Sequence, residues 1–214
     1  MFNILIILID NDDFSTFTPA AMKKIRNFRP INTIEQQIIE NSLKPFYTSF
    51  RAHLEEMGES LFISFNTPYS QESDPHIFIL PRRWEKEILA LSEPSEIVSA
   101  GLYFGFVKKD TFFLSLEGSE YLYKNRMVPP SMILMSSENG EKSILYGNDI
   151  TKKDLKKFPK SLERDKIYLV INQNGEIIAL SRAKLSSKDL IKENNNQIIF
   201  QTLIDKGYYL RAEQ

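Results

Sequence analysis

After the double proline Pro129-Pro130 the chain is written in short apolar runs separated by turn-forming residues. "SMILMS", "EKSILYG", "KIYLVIN", "EIIALSRA", "QIIFQTLI" and "GYYLRA" follow one another, with turns expected at Glu138-Asn139-Gly140, Asn174-Gly175 and Asn194-Asn195-Asn196. Asn-Gly between apolar runs is a hairpin signal, because both residues tolerate positive φ. Many short strands at this spacing restrict residues 129–214 to a small β-barrel. Only "TKKDLKKF" reads as helical there, with Leu155 and Phe158 turned inward.

The preceding residues have a different texture and set a domain boundary at the prolines. "INTIEQQIIENSL" predicts a helix capped by Asn32 or Thr33, with Glu35 or Gln36 reaching back in a capping box. Pro45 breaks it, and a second helical piece runs to Gly58. "SLFISFN" and "HIFIL" then read as strands and "RRWEKEILALS" as a helix. "EIVSAGLYFGFV" and "TFFLSL" form a hairpin around "KKD", and "GSEYLYKN" closes the module as a short helix. The expected fold is α+β: an N-terminal antiparallel-sheet α+β domain over 22–128, then the barrel over 129–214. Residues 1–21 stand apart. Ile4 to Ile9 suit a short strand; alternatively, "MKKIRNFRP" from Met22 is the natural start of the fold.

Charge divides along the same line. Residues 1–141 hold 13 Lys+Arg against 19 Asp+Glu, net −6; residues 142–214 hold 14 against 9, net +5. Two modules with different partners are implied, the basic one suited to a phosphate-bearing ligand. Lys152, Lys153, Lys156, Lys157 and Lys160 surround a single acid, Asp154. They are either the solvated face of an amphipathic helix or an RNA contact. Arg182, Lys184, Lys188 and Lys192 form a second basic series, and Lys206 and Arg211 flank Tyr208-Tyr209. Cations beside aromatics suit single-stranded nucleic acid, and strand alternation turns at least one of the two tyrosines outward.

Catalytic chemistry finds little support. With no cysteine, thiolate metal sites, disulfides and cysteine nucleophiles are excluded. His53 and His76 are isolated from each other, and no phosphate loop, dinucleotide fingerprint or nucleophile elbow is present. Gly101 and Gly105 in "GLYFG" suit a bulge or close backbone packing. The apolar start is far short of the ~20 residues a spanning helix requires. No enzyme activity, cofactor, metal or membrane association is expected.

The C-terminal half resembles a PUA domain, the small RNA-binding barrel named for pseudouridine synthases and archaeosine transglycosylases. "YGNDITKKDL" is similar to its turn leading into the first helix, "DKIYLVINQNGEIIALSRAKLSS" to its central hairpin, and "KGYYLR" to its closing strand. Ser181 stands where PUA domains usually carry glycine. Upstream, "FRPINTIEQQ", "IVSAGLYFGFVKKDTFFLSLEGSEYL" and "SILYGND" resemble the Nip-seven family of large ribosomal subunit biogenesis proteins. That resemblance covers residues 26–214 and implies a non-catalytic, monomeric adaptor. Its N-terminal domain would dock ribosome-assembly proteins, and its PUA domain would bind uridine- or adenine-rich single-stranded pre-rRNA. It implies a cytoplasmic protein in archaea or a nucleolar one in eukaryotes. The family's basic surface corresponds to Lys184, Lys188, Lys192 and Arg211. The competing readings are a PUA-tethered RNA-modifying enzyme and a protein-only interaction module.

Overall fold

The computed structural model describes residues 6–9, 28–47, 49–65, 74–91, 96–190, 196–208 and 211. The chain forms two compact units that divide between Gly118 and Ser119.

In the first unit the elements are β1 (Ile6–Ile9), β2 (Phe28–Pro30), α1 (Thr33–Leu43), α2 (Phe50–Met57), β3 (Glu59–Ser64) and β4 (His76–Pro81). A 3₁₀ turn at Arg82–Trp84 leads to α3 (Glu85–Leu91), β5 (Glu96–Ala100), β6 (Leu102–Lys108) and β7 (Thr111–Leu114). The next helix, α4 (Leu116–Lys124), runs across the division. The main sheet is antiparallel in the order β2-β3-β4-β6-β7, and β1 pairs antiparallel with β5. The expected "EIVSAGLYFGFV" strand is thus two strands, broken at Gly101. Gly105 sits beside the register shift between β4 and β6, as the bulge expectation required.

Strand alternation sorts the core into two layers. On one face Phe62, Phe78 and Leu80 join Phe28, Ile88 of α3 and Ile97 of β5. On the other, Phe104 stacks on Phe50 of α2 at 5.1 Å and on Phe112 at 5.2 Å.

The first helix starts as its sequence predicts. Asn32 accepts from the amides of Ile34 and Glu35, and the Glu35 carboxylate accepts from the Asn32 amide at 2.8 Å. Glu35 also takes a bidentate pair of hydrogen bonds from Arg29 of β2, at 2.6 and 2.9 Å. Burial opposes the Glu35 charge, but Arg29 and the Asn32 amide outweigh it and hold the carboxyl below its usual range. A carboxyl with a lowered folded-state pKa contributes stability that is present above its unfolded pKa and lost as pH falls through the folded value. The stability difference between wild type and Glu35→Gln is therefore expected at neutral pH and should close below about pH 4. Urea titrations at a series of pH values would measure it.

In the second unit a 3₁₀ turn at Pro130–Met132 precedes β8 (Ile133–Ser136), α5 (Glu138–Leu145) and β9 (Ile150–Thr151). A 3₁₀ turn at Lys152–Asp154 joins β9 to β10 (Leu155–Lys157); β11 (Ile167–Ile171), β12 (Ile177–Ala183), α6 (Ser187–Leu190) and β13 (Ile198–Asp205) follow. The sheet order is β10-β8-β11-β12-β13-β9. Its edge strands, β9 and β10, are joined by that single turn, so the sheet curls until its edges nearly meet. β8 and β11 are parallel and the other pairs antiparallel. The central hairpin closes where expected, with the Asn172 side-chain oxygen accepting from the amides of Asn174 and Glu176.

Three local expectations are corrected. "EKSILYG" lies mostly in α5 rather than in a strand. Its start is the Ser137 cap, whose hydroxyl oxygen accepts from the Gly140 amide at 3.1 Å, so Glu138-Asn139-Gly140 is a first helical turn. "TKKDLKKF" is not a helix. Thr151 and Asp154 form a capping box around one 3₁₀ turn, after which Leu155 and Lys157 pair with β8. Tertiary pairing overrides weak periodicity in so short a run. Finally, β13 ends at Asp205, and of the expected closing strand "KGYYLR" the described residues, 206–208 and 211, are not in a strand: the Arg211 amide donates to the Gly207 carbonyl in helical fashion.

Candidate nucleic-acid interface

The Gly147-Asn148-Asp149 turn ends a helix rather than starting one. The Asn148 amide donates to the Ser143 carbonyl and the Gly147 amide to the Ile144 carbonyl, the bond pattern of a Schellman cap. That cap needs a left-handed residue, and Gly147 supplies φ +80°. Against this helix end lie Gly207 and Arg211. Arg211 donates to the Leu145 carbonyl and, bidentately, to Asp205 at 2.7 and 3.0 Å. A cation at a helix C-terminus satisfies orphan carbonyls and the dipole together. The hydrogen bonds to Asp205 raise the Arg211 pKa, burial opposes this, and the Asp205 charge adds to the rise. A Cβ on Gly207 would sit 2.0 Å from the Leu145 oxygen, so only glycine permits this approach. Two motifs far apart in sequence thus form one structural node, in which the Arg211 guanidinium, although exposed, is engaged by Asp205 and the Leu145 carbonyl.

The lysines collect at the other side of this turn. Thr151 of β9 pairs with Ile198 and Ile150 with Phe200; Phe200 in turn pairs with Ala183 of β12. The Lys184 amide donates to the Ile199 carbonyl at 2.9 Å. Lys152, Lys153 and Lys184 are therefore brought to one end of β13, and all three are exposed. The Lys153 ammonium donates to Asn196 at 3.3 Å. That of Lys184 lies 3.8 Å from Asp149, whose other oxygen accepts from the Thr202 amide. An exposed ion pair of that length is worth under about 1 kcal/mol, so an incoming phosphate competes readily for Lys184.

The other basic residues lie elsewhere. Lys156 donates to Gln173 in the central hairpin at 2.7 Å, and Lys157 stands on β10 beside Met135. Arg182 is half-buried on β12, facing Ile167 and Gln201. Lys188 is exposed on α6, which Ser187 fastens to the Lys160 and Leu162 carbonyls. Lys206 pairs with Glu120 at 2.6 Å. Lys192 lies outside the described residues.

Tyr208 is exposed, but it lies beyond the end of β13, so strand alternation does not set its direction; Tyr209 is outside the described residues. Tyr146 was not singled out from the sequence, yet it is the most exposed large hydrophobic side chain of the described residues, at 74%. Its signal was present: the residue before a helix-ending glycine lies at the rim of the element, not in its core.

In the first unit, burial lowers the His76 pKa while the Asp74 charge opposes it. The ring lies against Tyr103 and Phe78 at 5.1 and 6.5 Å, with no second histidine beside it. Among the described residues no three His, Asp or Glu side chains are grouped to hold a metal, and no helix is long and apolar enough to cross a membrane. A cleft of about 210 Å³ opens in this unit, lined by the apolar Phe50, Leu54 and Leu61, by Glu40, Glu55, Glu59 and Glu85, and by Arg51 and Arg82.

Residues 132–214 match the family model described as the UPF0113 PUA domain. The C-terminal unit is a PUA-type barrel. A UPF0113 protein of Archaeoglobus fulgidus is 29% identical over 201 residues, an alignment spanning 87% of this chain and 96% of that one. Among solved structures, a conserved PUA domain protein from Thermoplasma acidophilum matches with 18% identity and a TM-score of 0.56. The match covers 86% of this chain and 98% of that one. A hypothetical protein from Pyrococcus horikoshii OT3 follows at 15% identity, TM-score 0.54, covering 83% and 93%. At these identities the likeness to the solved structures is one of fold, and it extends upstream of the PUA barrel into the α+β unit.

Proposed function

We propose that the protein is a non-catalytic RNA-binding adaptor of large ribosomal subunit assembly, of the Nip-seven type. The PUA barrel holds single-stranded RNA, and the acidic α+β unit docks a protein partner. The observation that carries the RNA reading is the convergence of Lys152, Lys153 and Lys184 at one end of β13, on a unit whose sequence is net positive. Such cations displace condensed counterions from the phosphate backbone and require no turnover chemistry. The order of motifs through both units supports the ribosomal assignment. In the cleft of that unit Glu40, Glu55, Glu59 and Glu85 outnumber Arg51 and Arg82 beside apolar side chains, which supports a basic protein segment as the partner's contact.

The test is binding of a labelled oligouridylate across a salt series, by wild type and by a variant with Lys152, Lys153 and Lys184 all changed to alanine. Each phosphate contact on a single strand contributes roughly 0.7 to the log–log salt slope, so the variant should bind more weakly with a slope flatter by about 2. Equal binding by both proteins would move the site to the Lys156–Lys157 edge. Absence of binding by either would leave a protein-only module.

A further inference from the structure

We propose that Tyr146 is a stacking platform for an unpaired RNA base, set beside the lysine edge so that the site favours single strands over duplexes. The inference rests on the RNA-binding reading and adds to it the residue that senses the base.

The ring is exposed while its backbone is held from every side. Tyr146 is the C-cap of α5, and its amide donates to the carbonyls of Lys142 and Ser143. The preceding carbonyl, that of Leu145, takes the Arg211 guanidinium and is packed by Gly207. The following residue, Gly147, is fixed in the left-handed region by the Schellman bonds. A platform held this way loses little freedom on binding, which is what makes an aromatic contact effective. Its ring contributes nothing visible to the core, so stability does not account for an aromatic there.

Position supplies the second argument. Asp149, three residues on, lies 3.8 Å from the Lys184 ammonium. Three residues span at most about 11 Å, so the backbone of the platform lies within that distance of the Asp149 backbone, and only the Asp149 side chain separates that point from the Lys184 ammonium. Lys152 and Lys153 follow directly beyond Thr151 on the same path. Cations tracking the backbone with a ring beside them are the two elements of single-strand recognition. In a duplex the base faces are already stacked on one another, so the ring finds no partner. Every base has a π-face, so the contact discriminates strandedness more than sequence.

The experiment compares wild type, Tyr146→Ala, Tyr146→Phe and the triple lysine variant on labelled oligouridylate, on labelled oligoadenylate and on the duplex formed from the two. Tyr146→Ala is expected to bind both single strands roughly 5- to 100-fold more weakly with an unchanged salt slope. Phenylalanine should restore binding, because the ring and not the hydroxyl carries the contact. Duplex binding should be the same for wild type and Tyr146→Ala. Wild-type affinity in Tyr146→Ala, alongside weakened binding in the lysine variant, would overturn the stacking role and leave the RNA reading standing. A flattened slope in Tyr146→Ala would also overturn it. Absence of RNA binding by wild type would defeat both.

Discussion

Replacing Phe200 by alanine is expected to destabilise the PUA unit by about 3–5 kcal/mol, the usual cost of emptying a phenylalanine site in a core. The side chain is fully buried, and its ring meets Tyr168 edge-on at 5.3 Å. The position has a structural consequence beyond lost area. Phe200 stands between Ala183 of β12 and Ile150 of β9, and β9 is only two residues long. A cavity there loosens the strand that carries the chain to Lys152 and Lys153 and the pairing that places Lys184. In a unit of this size each kcal/mol moves the melting temperature by about 4–8 °C, so a fall of roughly 12 °C or more is expected. Oligouridylate binding should weaken as well, although no phosphate contact is removed. Phe200→Leu should recover part of the stability. A change under about 1 kcal/mol would mean that the barrel is not packed around this ring.

Gly140→Ala should also destabilise the protein, against the direction that helix propensity gives. Gly140 lies inside α5, where alanine is ordinarily better than glycine by about 1 kcal/mol. Here an added Cβ would stand 2.0 Å from the Asp154 carbonyl oxygen and 2.6 Å from its carbon and Cα. All three are backbone atoms, so no side-chain rotation relieves the clash. Moving the Asp154 backbone breaks the 2.8 Å bond from the Ser137 amide and strains the Thr151–Asp154 capping box that shapes the lysine turn. Overpacking of this kind costs about 1–3 kcal/mol beyond the propensity gain, so a net loss is expected. Urea denaturation would show it as a lower midpoint at unchanged slope. Asn139→Ala, on the exposed side of the same turn, is the control and should be neutral or slightly stabilising. A more stable Gly140→Ala protein would mean that α5 does not lie against the Lys152–Asp154 turn.

What the sequence alone determined was local. The Asn32–Glu35 capping box, the stop at Gly58, the Asn172–Glu176 hairpin and the strand-rich texture after Pro129-Pro130 each depend on residues a few positions apart. Capping and turn chemistry act over that range, so they were legible. The basic character of the second unit was legible too, because charge is counted without knowing direction. The tertiary structure decided the rest. Gly147-Asn148-Asp149 suits either end of a helix, and which end it marks depends on the Ser137 cap ten residues earlier and on the docking of Arg211. The "TKKDLKKF" run became a turn and a strand because β8 offered a pairing edge. Of the lysines and arginines named from the sequence, Arg211 and Lys206 were drawn to Asp205 and Glu120, while Lys152, Lys153 and Lys184 were gathered by two strand pairings. Spacing along a chain cannot say which carboxylate a cation will meet, because that partner is chosen by the fold and not by the neighbours in sequence.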